Sequence, residues 1–285
     1  VDLGGNHVTY GSNTEIDTLD FGPGGMLNVY GGRLELNGGF TGDDGGTLNI
    51  EGAGQVWSEG SDASDLQINV SGGRFANTGE MQNADLTATG GETILATGGA
   101  EFDLAPSKTL AVFEAAAKVG FDGDDGGMAI LDMHEGSTLA FEARDGDLGT
   151  IEEFRSGALG DDPDVLSGVD LGNATLSIDL TGLSAEAGTA FTLMDTDEIV
   201  GIFEDATVDG LGARDAKVVI DYENDSVQLQ LSAGNGSVSV ETLGDVTDTT
   251  SGEQALWDAL TNGQGVASET AQVQELDEED LLDAA

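Results

Sequence analysis

The sequence contains no cysteine and few basic residues, and both absences narrow the range of functions. Without cysteine, a disulfide framework, an iron–sulfur cluster and thiol catalysis are excluded. Only 8 Lys and Arg residues stand against 55 Asp and Glu residues, giving a formal net charge of −47. Nucleic acid is therefore not an expected partner, because phosphate binding requires clustered Lys and Arg. No run of about 18 apolar residues is present, so we expect no insertion into a membrane as a helix.

Proline is also scarce, whereas glycine is abundant. The 285 residues include 3 Pro and 45 Gly, without the three-residue glycine period of collagen. Hydrophobic residues make up 38% of the chain, and many Leu, Val and Ile alternate with polar residues, which predicts a folded protein with a core. The strong self-repulsion must be offset by salt, divalent cations or cationic partners. The high negative charge and the start at Val1 together lead us to expect a mature secreted chain, located outside the cell or at its surface.

A repeated unit of about twenty residues dominates the first half of the sequence. Alternating apolar triplets, several followed by a Gly-Gly pair, begin at residues separated by 21, 20, 18, 24 and 19 positions: Leu27, Leu48, Ile68, Leu86, Leu110 and Ala129. Strands of period two joined by glycine corners are typical of a parallel β-solenoid. We predict an all-β fold, a right-handed parallel β-helix with seven or eight coils between residues 1 and 165. A β-sandwich is the alternative, because its strands and turns also recur at short intervals.

The alternation predicts which side chains point into the solenoid. They are Leu27, Val29, Leu34, Leu48, Ile50, Val56, Ile68, Val70, Phe75, Leu86, Ile94, Leu110, Val112 and Val119.

The pattern changes after the repeats and predicts three regions. Residues 1–168 are expected to form the coils, of which 140–168 are less regular and read as loops with a short helical turn near 151–156. Residues 169–234 read as a strand-rich cap, which repeat arrays require, and the sequence DYENDSVQL within it as a hairpin. Residues 235–285 read as a linker, a helix at about 250–263 and an acidic tail.

Two features together resemble a known family. One is the L-x-V-x-G-G coil. The other is a block in which Gly188, Phe191 and Leu193 precede Gly201 and Phe203, followed by the hairpin. Both are similar to the passenger regions of bacterial autotransporters and related secreted β-helix proteins. The resemblance covers residues 25–232 and implies a role in adhesion, aggregation or surface structure, although some members are hydrolases.

The sequence GDDGG occurs at 42–46 and again at 123–127, and it supplies candidate calcium ligands. The carboxylates are Asp43, Asp44, Asp122, Asp124 and Asp125, hard oxygen ligands on glycine turns. Neither an EF-hand loop nor a calcium-binding nonapeptide array is present, so an ordinary solvated turn is the alternative. The copies start 81 residues apart, close to four coils, which predicts that they lie on the same edge of the solenoid.

The C-terminal region supplies a candidate docking segment. Leu256, Trp257 and Leu260 form an apolar face on the predicted helix, and a simple solvated terminus is the alternative. Glycosylation sequons occur at Asn69, Asn173, Asn224 and Asn235.

These observations predict a non-enzymatic extracellular protein with a structural or adhesive role. We expect it to associate with itself in oligomers, filaments or a matrix, with Ca²⁺ as the candidate cofactor and glycans or cell surfaces as further partners. Two alternatives remain open. One is a polysaccharide lyase or glycoside hydrolase on the same scaffold, and the other is a component of a phage fibre or spike.

Overall fold

A computed structural model describes residues 7–41, 45–61, 65–97, 99–113, 116–122, 129–144, 147–156 and 167–244. These residues form 25 β-strands and, within these ranges, no helix, which confirms the all-β prediction. Val1–Val246 belong to one compact unit. Among the described residues no helical segment has the length and hydrophobicity to cross a membrane. The predicted helix at 250–263 lies outside the described residues.

Most strands belong to three parallel stacks, which the chain visits in turn. Stack one comprises β1 (His7–Tyr10), β4 (Gly25–Val29), β7 (Gly46–Glu51), the first parts of β9 (Leu66–Met81) and β10 (Ala84–Thr97), β12 (Thr109–Phe113), β15 (Thr138–Arg144), β19 (Thr175–Asp179) and β22 (Asp205–Asp209). Stack two comprises β2 (Thr14–Ile16), β5 (Arg33–Leu36), β8 (Gln55–Ser61), later parts of β9 and β10, β13 (Ala116–Asp122), β17 (Thr150–Ser156) and β20 (Ala190–Asp195). Stack three comprises β3 (Leu19–Asp20), β6 (Phe40–Thr41), the ends of β8 and β9, β11 (Glu101–Leu104), β14 (Ala129–Met133), β18 (Ser167–Asp170) and β21 (Glu198–Val200). The result is a solenoid-like parallel β fold.

The core forms because like residues meet on successive rungs. Leu27, Leu48, Ile68, Leu86 and Leu110 are in register along stack one, and all of them are buried. A parallel ladder brings equivalent positions within about 4.8 Å of each other, so one inward-facing apolar position per coil builds a continuous column. The predicted inward residues are confirmed as buried, apart from Val119, whose side chain lies outside the described part of the chain.

Ile94 corrects one detail of that prediction. Its side chain is buried, but its register partner is Ala76, whereas the neighbouring Thr93 aligns with the core residue Phe75. Ile94 therefore lies on the opposite face of stack two from the core. The alternation could not reveal this, because four consecutive residues after Thr93 are also buried.

The coils lengthen along the chain, which shifts one predicted repeat. Seven rungs of stack one lie before residue 165, in agreement with the predicted number of coils. The triplet beginning at Ala129 was expected to be the next member after Leu110, but it forms β14 of stack three. Leu139 takes that place instead, 29 residues after Leu110. The prediction failed at this coil because a single fixed period assumes corners of constant length, whereas this coil is longer than the earlier ones.

The described parts of residues 140–168, namely 140–144, 147–156 and 167–168, are more regular than their sequence indicated. The expected helical turn at 151–156 is wrong, since Thr150–Ser156 is β17 and pairs in parallel with β13. β16 (Asp147–Leu148) forms a short antiparallel pair with β15, and β18 continues stack three. The sequence TIEEFRS alternates weakly, because two adjacent glutamates are both exposed. Ile151 nevertheless lies buried at the core position.

The C-terminal end of stack two contains antiparallel pairings, unlike its start. β23 (Arg214–Asp221) and β24 (Ser226–Ala233) form the predicted hairpin, and β24 pairs antiparallel with β20. β25 (Val238–Leu243) then pairs in parallel with the other side of β23, in a segment that the sequence predicted to be linker. Asp215 fixes this connection, because its Oδ1 accepts hydrogen bonds from the backbone N–H groups of Asn235, Gly236 and Ser237 at 2.8, 3.1 and 2.9 Å.

Glycine corners occur where the sequence predicted them. Gly32 follows β4 with φ of +71°, and Gly91, with φ of +79°, lies within β10 where the register of its pairing with β9 shifts. A Cβ on Gly91 would lie 2.1 Å from the carbonyl oxygen of Gly73 on the preceding coil. Only glycine combines this backbone conformation with such a close approach, so the repeated Gly-Gly pairs are architectural.

Candidate functional site

Three aspartates form a column on the outward face of stack three. Asp103 of β11 is in register with Asp132 of β14, which in turn is in register with Asp170 of β18. Each lies between two inward-facing apolar residues, so the strand alternation directs all three carboxylates to the same face. Successive carboxylates start about 4.8 Å apart at the backbone. We call this set the aspartate ladder.

The His134 imidazole faces the ladder. It follows β14 directly, and its Nε2 lies 3.0 Å from Asp103 Oδ1 and 3.6 Å from Asp132 Oδ2. Asp170 has a different partner, because its Oδ1 accepts a hydrogen bond of 2.9 Å from the backbone N–H of Gly172. Further negative charge comes from Glu101 on β11.

Burial differs sharply along the ladder and determines its protonation. Asp132 is only 5% exposed, and burial raises its pKa from 3.8 to about 7, helped by the charges of Asp170, Glu101 and Asp103 and opposed by His134. Burial also raises the pKa of Asp103, against the effect of His134. The pKa of Glu101 is raised as well, by burial first and then by Asp103 and Glu80. The ladder therefore holds a proton near neutral pH that isolated aspartates would have lost.

This arrangement suits proton transfer. Carboxylic acids with pKa values near the ambient pH can act as general acids beside ionised neighbours. The side chains of Asp103 and His134 remain 21% and 44% exposed, whereas that of Asp132 is 7% exposed. No group of three or more His, Asp or Glu residues in the described part of the chain is arranged to hold a metal ion.

A second distinctive surface surrounds Trp57 on the outward face of stack two. The guanidinium carbons of Arg33 and Arg74 lie 4.6 and 4.4 Å from the centre of the indole ring. Arg33 also pairs with Glu35 at 3.3 Å and Arg74 with Glu92 at 2.9 Å. Cation–π contacts of this kind stabilise neighbouring coils. Because each arginine has an acidic partner, the surface is not a free cationic patch.

The calcium candidates fall largely outside the described residues. Asp43, Asp44, Asp124 and Asp125 are among the residues that are not described, and for Asp122 only the backbone is described, at the end of β13. The flanking strands nevertheless correct one expectation. The first GDDGG connects β6 of stack three to β7 of stack one, whereas the second connects β13 of stack two to β14 of stack three. The copies thus belong to different corners, because the later coils are longer than twenty residues.

The docking candidates Leu256, Trp257 and Leu260 also lie outside the described residues, so their role stays a prediction.

The four sequons differ in accessibility. Asn69 is part of a column in which its Nδ2 donates to Asn49 Oδ1 at 2.8 Å, and Asn49 donates likewise to Asn28 at 2.7 Å. Asn173, Asn224 and Asn235 are exposed outside strands. A glycan on Asn69 would break the column, which leaves the other three as the accessible acceptors.

Sequence reasoning missed the aspartate ladder, although a signal was present. Each member is the centre of an apolar-Asp-apolar triplet, FDL, LDM or VDL, and each triplet precedes a short turn and then a Thr-Leu pair that opens the next strand of stack one. Aligning the repeats on the Thr-Leu pairs aligns Asp103 with Asp132 and places Asp170 one residue away.

Searches of protein-family models, of curated proteins and of solved structures give no significant match to this chain.

Proposed function

We propose that the protein is a right-handed parallel β-helix with a structural or adhesive role outside the cell, acting through its elongated scaffold rather than through catalysis. The observation that carries the proposal is the unbroken register of stack one through nine strands, with a buried apolar column along it. Parallel crossover connections are right-handed in about 98% of cases, which supports the handedness. Such a scaffold offers repeated surfaces for multivalent contact.

The charge indicates how the surface would be used. With a net charge of −47, copies repel one another at low salt, and cations that gather at the acidic faces would allow them to approach. In this proposal calcium acts as one of several bridging cations. A specific calcium site at the GDDGG turns is a separate hypothesis, which predicts stabilisation by Ca²⁺ beyond that by Mg²⁺.

Imaging and sedimentation of the purified full-length chain test the proposal. We expect fibres or large assemblies to form as NaCl, MgCl₂ or CaCl₂ is added, and to disperse on dialysis into low salt. A chain that stays monomeric at every salt and protein concentration contradicts self-assembly. A melting temperature that falls with a calcium chelator but not on removal of magnesium supports the specific calcium site instead.

The aspartate ladder favours a second candidate, a hydrolase or lyase acting on extracellular polysaccharides. Carboxylates on adjacent rungs start about 4.8 Å apart, close to the roughly 5 Å separation in retaining glycosidases. Asp132, whose pKa is raised, would hold the proton, and the His134 imidazole lies beside Asp103. Incubation with neutral and acidic polysaccharides, followed by measurement of reducing ends and of unsaturated products, tests it. Activity that Asp103→Asn abolishes supports this candidate, and no product from any polysaccharide contradicts it.

A further inference from the structure

Stack two ends in an unpaired strand edge on both sides. At its start, β2 pairs only with β5, and at its other end β25 pairs only with β23, among the strands that the structure describes. An unpaired edge presents backbone donors and acceptors that can pair with another strand.

The two free edges run in the same direction. All strands of stack two from β2 to β20 are parallel. β24 is antiparallel to both β20 and β23, so β23 regains the original direction, and β25 is parallel to β23. One ladder therefore begins and ends with strands of equal direction, the condition for adding a further parallel rung from a second copy.

Both edges also leave inward-facing apolar side chains incompletely covered. Ile16 on β2 is only partly buried, whereas Leu36, its register partner one rung inward, is 1% exposed. On β25, Val240 is 39% exposed, whereas its partner Val218 is fully buried. Another rung at either end would extend the apolar column and remove these side chains from water.

The charge of β25 does not prevent its free edge from pairing with another strand. Protein edge strands usually carry charges, proline or a bulge that discourage pairing. The only carboxylate on β25 is Glu241, and its Oε2 lies 2.7 Å from Lys217 Nζ. On a chain with a net charge of −47, this six-residue strand is locally balanced. Its pairing with β23 also shows no bulge.

We propose that β25 of one copy pairs in parallel with β2 of the next copy, joining molecules head to tail. Such a contact uses two different surfaces, so unless the rotation closes a ring it continues as a filament. This inference rests on the proposed self-assembling role and names the surfaces that carry it.

The hydrogen-bond pattern identifies substitutions that block only the outer edges. The carbonyl groups of Ser237 and Leu243 accept from β23 and the residue after it, so odd-numbered residues of β25 face β23. By alternation, the N–H of Thr242 points to the free edge. On β2 the carbonyl of Ile16 accepts from Asn37, which directs the N–H of Glu15 outward. Proline at either outward position removes an edge donor without removing a backbone hydrogen bond of the fold. At position 15 it also removes the side-chain acceptor Glu15 Oε1, to which Asn37 Nδ2 donates at 2.7 Å and which glutamine retains.

The test combines two blocked variants of the full-length chain. Thr242→Pro closes the β25 edge and Glu15→Pro closes the β2 edge, while Thr242→Val and Glu15→Gln retain both N–H groups as matched controls. Each chain is measured by sedimentation velocity in about 0.5 M NaCl, where screening is strong. We expect the wild type and both controls to form large assemblies, each proline variant alone to be monomeric, and their equimolar mixture to give dimers and nothing larger. Unchanged melting temperatures show that the proline variants are folded.

Three outcomes separate the possibilities. Assembly of Thr242→Pro alone to the wild-type size overturns the inference while leaving a self-assembling function intact. Dimers of Glu15→Pro alone indicate a two-fold contact between β25 edges and also overturn it. A wild-type chain that remains monomeric under all conditions overturns both the inference and the proposed assembly.

Discussion

Replacing Asp132 with asparagine should stabilise the protein at alkaline pH and have progressively less effect as the pH falls. Asp132 is buried beside Asp103, Asp170 and Glu101, and this environment raises its pKa to about 7. The unfolded chain ionises it near pH 4. Because the folded state holds the proton more tightly, stability declines as the pH rises from about 4 to about 7. Asparagine cannot ionise, and its amide can donate to a neighbouring carboxylate, so the variant escapes the decline.

The expected size follows from the pKa difference. A rise from 3.8 to about 7 corresponds to about 4 kcal/mol of lost stability at pH 8, since each pKa unit is worth about 1.4 kcal/mol. At pH 5 the Asp132 carboxyl group is mostly ionised in the unfolded chain and mostly protonated in the folded chain. The loss of stability at that pH is therefore only about 2 kcal/mol. The advantage of the variant should therefore grow by about 2–3 kcal/mol between pH 5 and pH 8.

Urea unfolding at several pH values measures this difference. The range should stay above pH 5, because the sequence pI of about 4.1 brings aggregation closer at lower pH. Glu59→Gln is the matched control, since it removes one exposed charge on β8. Its effect on stability reports only the weaker general repulsion within the negatively charged chain. The reasoning is refuted if the advantage of Asp132→Asn is constant with pH, or if Glu59→Gln gains as much between pH 5 and pH 8.

Four further substitutions test the architecture, and one of them is a control. Gly172→Ala should cost about 4 kcal/mol or more in chemical unfolding, because φ is +48° and the Cβ would lie 1.3 Å from the Met133 carbonyl oxygen, whereas Gly24→Ala, with φ of +69° and open space, should cost only about 1–2 kcal/mol. Asn49→Ala should cost about 1–3 kcal/mol in the same assay, because Asn49 both donates and accepts within its column. Asp215→Ala should accelerate hydrogen exchange of the amides at 235–237, which donate to its carboxylate, and leave exchange in β4 unchanged.

The apolar core was predictable because its signal is local. Leu27 and Val29 flank one polar residue, and the same spacing at Leu48 and Ile50 gives the period of a strand without knowledge of its neighbours. Glycine pairs then marked the corners, since few other residues adopt the required backbone conformation.

The ladder and the last strand were not predictable by that route. Asp103, Asp132 and Asp170 lie 29 and 38 residues apart, because the connections between them differ in length, so no fixed period aligns them. In β25 only Val238 and Val240 alternate with polar residues, and all but the first residue of the strand are exposed. The strand is ordered by backbone pairing and by the bonds to Asp215. Both features depend on register, which a single fixed period does not give.

In a parallel stack, side chains at equivalent positions of successive coils are neighbours, and this chain accommodates such contacts in different ways. Asn28 and Asn49 share amide hydrogen bonds, and Arg74 meets Glu92 on the next coil. Both arrangements relieve the contact. The aspartate ladder instead keeps like charges in register and buries Asp132 among them, at a cost that asparagine would avoid. A scaffold that served shape alone would gain by asparagine throughout the ladder. Loss of an activity after that substitution would therefore favour the enzymatic candidate, whereas a more stable chain that still assembles would favour the structural one.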